Sequence, residues 1–370
     1  MQPEEIHLYQ IALPLKTPFV TANGATRTRI TTLLELRAEG ISGWGECVAE
    51  ATPAYFYETA ETAWSILRDF LIPQAFQHPL DTLPDVEFWQ RGVRGYPMAK
   101  AALEVAAWDW WGNRYAQNVA TLLGGTQTRV PVGVAVGLHA TPAALLQTVA
   151  QYLAEGYRRV KIKIEPGRDL PFVRAVRREF PNLPLQVDAN AAYTPADTEV
   201  LRALDEYNLL LIEQPFAEDD LLHHAALQRV LQTPVCLDEG ITSLRAAEQA
   251  LELGACRVLC VKLGRVGGLH TGRAIANLCA ARRVPLWCGG MLESGIGRAA
   301  NLALAALPAF TLPGDISATA RYFDEDILHE VFQLESDSTI QVPRSAGLGV
   351  QVNRAALKKF TRRSEKFTAH

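Results

Sequence analysis

Five ionisable residues recur at a nearly constant interval in the middle of the chain. They are Lys163, Asp188, Glu213, Asp238 and Lys262, which follow one another at intervals of 25, 25, 25 and 24 residues. Each of them closes a short apolar run, and each run is followed by a segment with the periodicity of a helix. The pattern indicates a repeating strand–helix unit that has an ionisable group at the carboxyl end of every strand.

The three carboxylates of this series, Asp188, Glu213 and Asp238, would converge at the ends of adjacent strands and repel one another. A divalent cation between them relieves this repulsion, and ligation by oxygen alone suits Mg²⁺, with Mn²⁺ as a substitute. Taken singly, each carboxylate is better interpreted as a helix cap or a turn residue, so the common spacing is what favours a metal site. Asn190 and Glu239 follow closely, either as supporting residues around the metal or as caps.

Two lysines, Lys163 and Lys262, stand on either side of the carboxylates in strand order. A lysine acts as a base near neutral pH only if its pKa is lowered by about 2–3 units from ~10.4, which a cation and a second ammonium group achieve by like-charge repulsion. Lys161 shares a strand face with Lys163, and Arg265 lies one helical turn after Lys262, so both are placed to contribute. The alternative is a half-exposed strand with solvated lysines and a surface arginine at a helix start.

Lysines that flank a metal-bound carboxylate favour one reaction class, the removal of the proton α to that carboxylate to give an enediolate stabilised by Mg²⁺. Return of the proton from the opposite face racemises the carbon, whereas loss of a β-hydroxyl group dehydrates the substrate. Two other interpretations stay open at this point. One is a Schiff-base aldolase, in which a lysine attacks a carbonyl group. The other is a barrel that binds a metal or ligand without catalysis.

The elements that must position these residues are short strands alternating with helices. We expect strands near 130–136, 159–163, 184–188, 209–213, 234–238, 258–262, 285–288 and 310–312. Such alternation predicts an α/β fold, a modified (β/α)8 barrel of the TIM type, with its active site at the carboxyl ends of the strands. An open doubly wound sheet would carry a glycine fingerprint after its first strand, which this chain lacks.

The region before the barrel has a different pattern, that of an α+β capping domain. Residues 5–13, 30–36 and 41–47 predict strands, and residues 57–71 and 98–115 predict helices. Between the first two strands, residues 14–28 predict a polar loop that contains Phe19, Asn23 and Gly24. We therefore expect a capping domain over 1–125, the barrel over 126–320, and a C-terminal segment over 321–370 that packs back on the cap.

Composition narrows the function classes. The net charge of −4 argues against nucleic-acid or anionic-membrane partners, so we expect a small-molecule carboxylate substrate. There is no apolar run of membrane-spanning length and no secretory signal, which favours the cytoplasm. The six cysteines form no C-x-x-C pair and are interpreted as reduced core residues. A homo-oligomer is expected.

These residues resemble the enolase superfamily, and the lysines of the second and sixth strands resemble its muconate-lactonizing subgroup. A mandelate-racemase pattern would place a histidine on the seventh strand, where this chain has Trp287-Cys288. Several strings are similar to the o-succinylbenzoate synthase / N-succinylamino acid racemase family. They are Asp188-Ala-Asn190-Ala-Ala-Tyr193, Asp205-Glu-Tyr207, Glu213-Gln-Pro215, Lys262-Leu-Gly-Arg265-Val-Gly-Gly268, Trp287-Cys-Gly-Gly-Met291-Leu-Glu-Ser-Gly-Ile-Gly297-Arg298 and Pro313-Gly-Asp315-Ile-Ser317.

The resemblance implies a (β/α)7β barrel, a Mg²⁺ cofactor and a syn dehydration in menaquinone biosynthesis, with N-succinylamino acid racemase activity as companion or main activity. In this superfamily a lysine base acts with a Mg²⁺-stabilised enediolate, and the resemblance implies the same mechanism for this chain. Lys163 would be the acid/base, Lys262 a cation or second base at the other face, and Arg265 the arginine associated with racemisation. The residues that would enclose the substrate are Phe19, Tyr55, Gly290, Met291 and Ser294.

Two positions depart from the family pattern. The family commonly has serine after Asp-Glu, where this chain has Gly240, which bears on one polar contact near the metal. Dipeptide epimerases carry Asp-x-Asp after the eighth strand, and Asp315-Ile-Ser317 interrupts that motif. We therefore do not expect a dipeptide epimerase.

Overall fold

Two sheets organise the chain, an antiparallel sheet near the termini and a parallel sheet in the middle. The structure is a computed structural model that describes residues 1–21 and 24–369. Its strands are β1 (Glu5–Thr21), β2 (Gly24–Ala38), β3 (Ile41–Cys47), β4 (Arg129–Pro131), β5 (Val134–Val136), β6 (Val160–Lys163), β7 (Leu185–Asp188), β8 (Ile212–Glu213), β9 (Val235–Leu237), β10 (Val258–Val261), β11 (Leu286–Cys288), β12 (Thr339–Gln341) and β13 (Thr361–Thr368).

The helices lie between these strands and cover both sheets. They are α1 (Ala60–Ile66), α2 (Ile72–Gln77), α3 (Val86–Gln90), α4 (Pro97–Arg114), α5 (Val119–Leu123), α6 (Pro142–Ala154), α7 (Leu170–Glu179), α8 (Thr198–Ala203), α9 (Leu221–Val230), α10 (Leu244–Glu252), α11 (Leu263–Val266), α12 (Leu269–Arg282), α13 (Gly295–Ala305), α14 (Thr319–Tyr322) and α15 (Arg354–Phe360). A π-helical turn, Leu67–Leu71, joins α1 to α2. Within the described residues, none of these helices combines the length and apolar character that a membrane span requires.

The parallel sheet has seven strands in the order β11-β10-β9-β8-β7-β6-β5, and it curls into a barrel. The expected eighth strand near 310–312 is reduced to a bridge between Leu286 and Phe310, and a bridge between Val132 and Gly314 follows it. The expected first strand, 130–136, is divided, since β4 pairs with β12 outside the barrel and only β5 joins it. The predicted fold class, a modified barrel with an N-terminal α+β cap, is confirmed.

Strand register brings the predicted ionisable residues to one rim of the barrel. Lys163 pairs with Asp188 across β6 and β7, and Asp188 pairs with Glu213 across β7 and β8. Asp238 and Lys262 directly follow β9 and β10. Because parallel strands end at the same edge, all five side chains emerge at the carboxyl end.

The cap sheet has the order β13-β1-β2-β3, so the last strand of the chain pairs with the first. Helix α4 packs against β3 at unusually close range because Gly43 and Gly45 carry no side chain. A Cβ atom at Gly45 would collide with the carbonyl oxygen of Ala102. The C-terminal segment pairs with β4, just before the first barrel strand, through β12, and with the cap sheet through β13. The domain limits themselves stay a prediction.

The prediction of a polar loop over residues 14–28 is wrong, because most of this segment is paired β-strand. Strands β1 and β2 continue as a hairpin, in which Phe19 pairs with Thr26 and Thr21 pairs with Gly24. The register shifts between Pro14 and Phe19, where proline supplies no N–H group to the ladder. Asn23 lies outside the described residues.

Candidate active site

A cavity opens at the carboxyl ends of the barrel strands, beneath the cap. The barrel contributes Lys161, Lys163 and Lys262 to its wall, and the cap contributes Phe19 and Tyr55. The predicted lysines therefore share one cavity, and the cap separates them from bulk solvent.

Asp188, Glu213 and Asp238, the carboxylate cluster, lie behind the lysines that line this cavity. They are almost completely buried, with relative exposures of 1%, 0% and 0%. A carboxylate oxygen of Glu213, one of Asp238 and Sγ of Cys260 lie within 4.8 Å of one another. Asp188 adjoins Glu213 in strand register and turns its carboxylate toward lysines. The structure brings two of the predicted ligands, Glu213 and Asp238, within reach of one ion, places Asp188 beside Glu213, and adds a thiol that the sequence did not single out.

Burial and mutual repulsion act strongly on the carboxylate cluster. Burial raises the pKa of Glu213 well above its usual range, and repulsion from Asp188 and Asp238 adds to the effect. Burial also opposes ionisation of Asp188 and Asp238, but neighbouring lysines and Arg265 outweigh it and lower the pKa of both groups. Neighbouring cations therefore favour the ionised forms of Asp188 and Asp238, whereas burial and repulsion favour the protonated form of Glu213.

Two further observations fit a hard divalent cation at the carboxylate cluster. The carboxylate oxygen Oε2 of Glu239 is buried without a hydrogen-bond partner among the described residues. Burial raises the pKa of the Cys260 thiol well above its usual range, with Asp238 and Glu213 adding to the effect, so near neutral pH the donors there are carboxylate oxygens. Such an oxygen set is the one that Mg²⁺ prefers.

Lys163 lies at one side of the cluster in a short hydrogen-bonded chain. Its Nζ atom is 2.6 Å from Asp188 Oδ2 and donates to Asn190 Oδ1, also at 2.6 Å. Asn190 adopts a positive φ of 42° and donates from Nδ2 to Glu239 Oε1 at 2.8 Å. Burial, with repulsion from Asp238 and Asp188, raises the pKa of Glu239 to about 7. Asn190 and Glu239 thus lie behind Lys163, and neither is a helix cap.

Lys262 lies at the other side of the cluster, with Arg265 and Tyr55. Its Nζ atom is 2.8 Å from Asp238 Oδ2 and donates to the Tyr55 hydroxyl at 2.7 Å. Arg265 is fully buried, lies 2.7 Å from Asp238 Oδ1, and donates to the same hydroxyl at 2.6 Å. The surface interpretation of Arg265 is wrong, because its guanidinium group is folded into the site.

The predicted lowering of the lysine pKa is not produced by the protein groups around Lys262. Burial lowers the pKa of Lys262, but Asp238 and the Tyr55 phenol outweigh it and raise the pKa well above its usual range. Arg265 acts in the predicted direction and is too weak to reverse the balance. Any lowering must come from a charge that competes with the lysine for Asp238.

Lys161 has more carboxylate partners than the sequence indicated. Its Nζ atom is 3.1 Å from Asp188 Oδ2, 2.9 Å from Glu213 Oε2 and 2.6 Å from Asp315 Oδ2. Asp315 is in turn 2.7 Å from Arg159 Nη1. The sequence alone indicated no role for Asp315 or Arg159. Asp315 does, however, come just after the expected eighth strand, as the other site residues stand at the ends of theirs, and this position could have indicated one.

Two family models match most of the chain. The one described as "Mandelate racemase / muconate lactonizing enzyme, N-terminal domain" matches residues 4–124, and the one described as "Enolase C-terminal domain-like" matches residues 144–356. The chain belongs to the mandelate racemase / muconate lactonizing enzyme family of the enolase superfamily. As a member of this family it is an enzyme.

Several individual proteins are similar to this chain over nearly their whole length. An o-succinylbenzoate synthase from Geobacillus kaustophilus is 45% identical, over 98% of this chain and 97% of the relative. An N-succinylamino acid racemase from an Amycolatopsis species is 46% identical, over 95% of each. A solved enolase-superfamily structure from Listeria innocua superposes with a TM-score of 0.96 at 42% identity and covers 100% of both chains.

Most of the residues predicted to contact the substrate lie around the cavity, on the cap and on the loop after β11. Phe19, Tyr55, Gly290 and Met291 all line it. Ser294 does not. It is fully buried, and its hydroxyl donates to Glu46 Oε2 at 2.6 Å, so Ser294 joins the barrel to the cap.

Packing explains the glycine at position 240, two residues after Asp238, where the family commonly has serine. A Cβ atom there would lie 2.8 Å from the carbonyl oxygen of Glu218. The backbone N–H group of Gly240 donates to Gln214 Oε1 at 3.2 Å, and the same oxygen accepts the N–H group of Asp238 at 3.0 Å. Gln214 therefore fixes the turn that carries Asp238.

Proposed function

We propose that this enzyme removes the proton α to the carboxylate of a small-molecule substrate with the help of a divalent cation. The observation that carries the proposal is the placement of Lys163 and Lys262. Both lysines line one cavity, and they lie on opposite sides of the buried carboxylate cluster. A base on each side of a carbon acid suits removal of a proton from one face and return of a proton to the same or the opposite face.

Asp188, Glu213 and Asp238 would hold the cation, which we propose to be Mg²⁺, with Mn²⁺ as a substitute. When bound, the cation supplies positive charge that lowers the pKa of the neighbouring ammonium groups and stabilises the negative charge that forms on the substrate carboxylate. Glu239, one residue beyond Asp238, and Asn190 would support this arrangement from behind.

The side chains of the chain itself then have distinct tasks. Lys163 accepts the α-proton, while Asn190 orients its Nζ atom through the 2.6 Å hydrogen bond. Lys262, held by the Tyr55 hydroxyl, faces the opposite side of the substrate as a cation in dehydration or as the second acid/base in racemisation. Phe19 and Met291 lie over the cavity and exclude water from the reacting centre.

The specific activity that we propose is that of an o-succinylbenzoate synthase, a syn dehydration that serves menaquinone biosynthesis. The support is the o-succinylbenzoate synthase name of several relatives at 42–45% identity. The lysine arrangement also agrees with it, since dehydration needs one acid/base and a cation opposite it.

N-succinylamino acid racemase is the second candidate, alone or as a companion activity. It is favoured by the relative of that name at 46% identity and by the buried Arg265 beside Lys262. Arg265 donates to the hydroxyl of Tyr55 that also binds Lys262, so it acts on the lysine that racemisation requires as a second base.

One pair of assays ranks the two activities. Purified enzyme with Mg²⁺ is given the cyclohexadiene carboxylate precursor of o-succinylbenzoate, and separately an N-succinylamino acid in D2O. We expect fast dehydration of the first and measurable α-proton exchange of the second. Exchange without dehydration would make racemisation the main activity, and absence of both would refute the proposal.

A further inference from the structure

Arg159 and Asp315 form a buried ion pair at the seam where the barrel closes. Arg159 Nη1 is 2.7 Å from Asp315 Oδ1, and Nη2 donates to the carbonyl oxygens of Pro313 at 2.8 Å and Gly314 at 2.6 Å. Gly314 bridges to Val132, next to the first barrel strand. The orientation of Asp315 is therefore set by the backbone of the closing segment and by a guanidinium group that is only 2% exposed.

The second oxygen of Asp315 holds Lys161. The distance from Lys161 Nζ to Asp315 Oδ2 is 2.6 Å, shorter than the distances of 2.9 Å to Glu213 and 3.1 Å to Asp188. The same ammonium group stands 4.8 Å from the centre of the Trp287 ring, which limits its movement on another side. Lys161 and Asp315 both line the cavity, so this pair faces the substrate as well as the carboxylate cluster.

We infer that Asp315, oriented by Arg159, is a positioning residue that holds the Lys161 ammonium group between the carboxylate cluster and the substrate, and so sets the affinity of the cluster for its cation. The inference rests on the proposed function for the identity of the substrate, but its effect on cation binding does not depend on which reaction follows.

The direction of the effect follows from the charges. Asp315 shares the ammonium charge of Lys161 with Glu213 and Asp188. Without the carboxylate of Asp315, the Lys161 ammonium group would pair only with Glu213 and Asp188, where it would compete with a bound cation. The ammonium group also loses its fixed position toward the cavity, so the substrate carboxylate meets a less ordered partner.

The main experiment measures Mn²⁺ binding to Asp315→Asn by electron paramagnetic resonance, together with kcat and KM. Asparagine keeps the shape of the side chain and removes its charge. We expect the Kd for Mn²⁺ to rise by about 10- to 100-fold and KM to rise with it, as is typical when a residue behind a metal ligand is changed. A purely structural role would lower the active fraction and leave Kd and KM unchanged.

A matched pair of arginine variants tests the second member of the ion pair. Arg159→Met should shift Kd and KM in the same direction as Asp315→Asn, and Arg159→Lys should recover part of the shift. Arg158→Met is the control, because Arg158 is exposed and donates to the carbonyl oxygen of Ser336, away from the cavity. We expect it to bind Mn²⁺ as the unmodified enzyme does.

Gly133→Ala tests the Arg159–Asp315 ion pair without replacing a charged residue. A Cβ atom at Gly133 would collide with the guanidinium group of Arg159 and push it from its place. If Arg159→Met fails to fold, this variant and Asp315→Asn still test the inference.

A Kd for Mn²⁺ and a KM within twofold of the unmodified enzyme in folded Asp315→Asn would overturn the inference. If the unmodified enzyme bound Mn²⁺ but exchanged no α-proton, the proposed function would fail and the inference would be judged on Kd alone.

Discussion

Each lysine at the side of the carboxylate cluster is bound to an oxygen that a cation would also use. Lys163 Nζ lies 2.6 Å from Asp188 Oδ2, and Lys262 Nζ lies 2.8 Å from Asp238 Oδ2. A divalent cation bound there, as proposed above, would compete with the ammonium groups for the same negative charge. Cation binding and release of the lysines would then be coupled, which would link formation of the proposed metal site to activation of the proposed bases.

Replacement of Lys163 by alanine is the most direct change at the level of a single residue. Lys163→Ala should lower turnover by about 10²–10⁴-fold, because it removes the group that we propose accepts the α-proton. The circular dichroism spectrum should stay unchanged, since Lys163 stands at a strand end and not in the apolar core. Lys358→Ala, at an exposed lysine of α15, is the control and should retain full turnover. Turnover within tenfold of the unmodified enzyme would remove Lys163 from the mechanism.

At the level of elements, the contact between β3 and α4 fixes the cap. Gly43 and Gly45 let the strand approach the backbone of α4, and Asp109 of α4 accepts the N–H group of Trp44 at 2.8 Å and that of Leu348 at 2.7 Å. One helix thus ties the cap sheet to the C-terminal segment. Because the cap carries Phe19 and Tyr55 to the cavity, this contact also bears on the site.

Gly45→Ala should therefore destabilise the protein by about 3 kcal/mol or more, the upper end of the cost of overpacking, because the added Cβ would lie 1.9 Å from the carbonyl oxygen of Ala102. The measurement is the free energy of unfolding in urea. Gly254→Ala is the control, because Gly254 has a positive φ of 67° and no atom within 4 Å of an added Cβ. That substitution should cost only the backbone strain, about 1 kcal/mol. Equal effects at the two glycines would contradict the packing argument.

The stability of the folded cap region should depend on pH because of Glu104 in α4. It is buried, accepts the N–H group of His270 at 2.7 Å, and burial raises its pKa from 4.5 to about 7. Since the folded state holds this proton more tightly than the unfolded state, its contribution to stability is complete below pH 4.5 and is lost as the pH rises through 7.

Glu104→Gln should reduce the fall in stability between these pH values, because glutamine keeps the acceptor oxygen and carries no proton to lose. A single titrating group contributes at most about 1.4 kcal/mol per pH unit. Urea unfolding at several pH values measures the slope. Glu87→Gln, at an exposed site, should leave the slope as it is. An unaltered slope in Glu104→Gln would mean that Glu104 does not titrate in this range.

At the level of the whole molecule, the sequence predicted the features that arise within one strand–helix unit. The apolar runs located the seven strands of the parallel sheet but not the division of the first expected strand or the reduction of the eighth to a bridge. The ionisable residues that close the runs located the carboxylate cluster and both lysines. The fold class followed from the same repeat.

The features that depend on distant parts of the chain could not be predicted in this way. Asp315 reaches Lys161 only because the barrel closes and brings the segment after β11 beside β6. Phe19 lies in a hairpin and not a loop because β2 pairs with the full length of β1. Ser294 follows the glycine-rich loop, yet Glu46 of the cap draws it away from the cavity. Side-chain partners of this kind are set by tertiary packing.

The central claim is that a cation on the carboxylate cluster and Lys163 together take a proton from the α-carbon of a carboxylate substrate. Its most direct test is the exchange of that α-proton for deuterium in D2O, followed by proton NMR with an N-succinylamino acid, with Mg²⁺ present and after its removal by EDTA. We predict exchange that requires Mg²⁺, returns when Mg²⁺ is restored, and is absent from Lys163→Ala. Exchange that persists in EDTA, or that survives the loss of Lys163, would contradict the account.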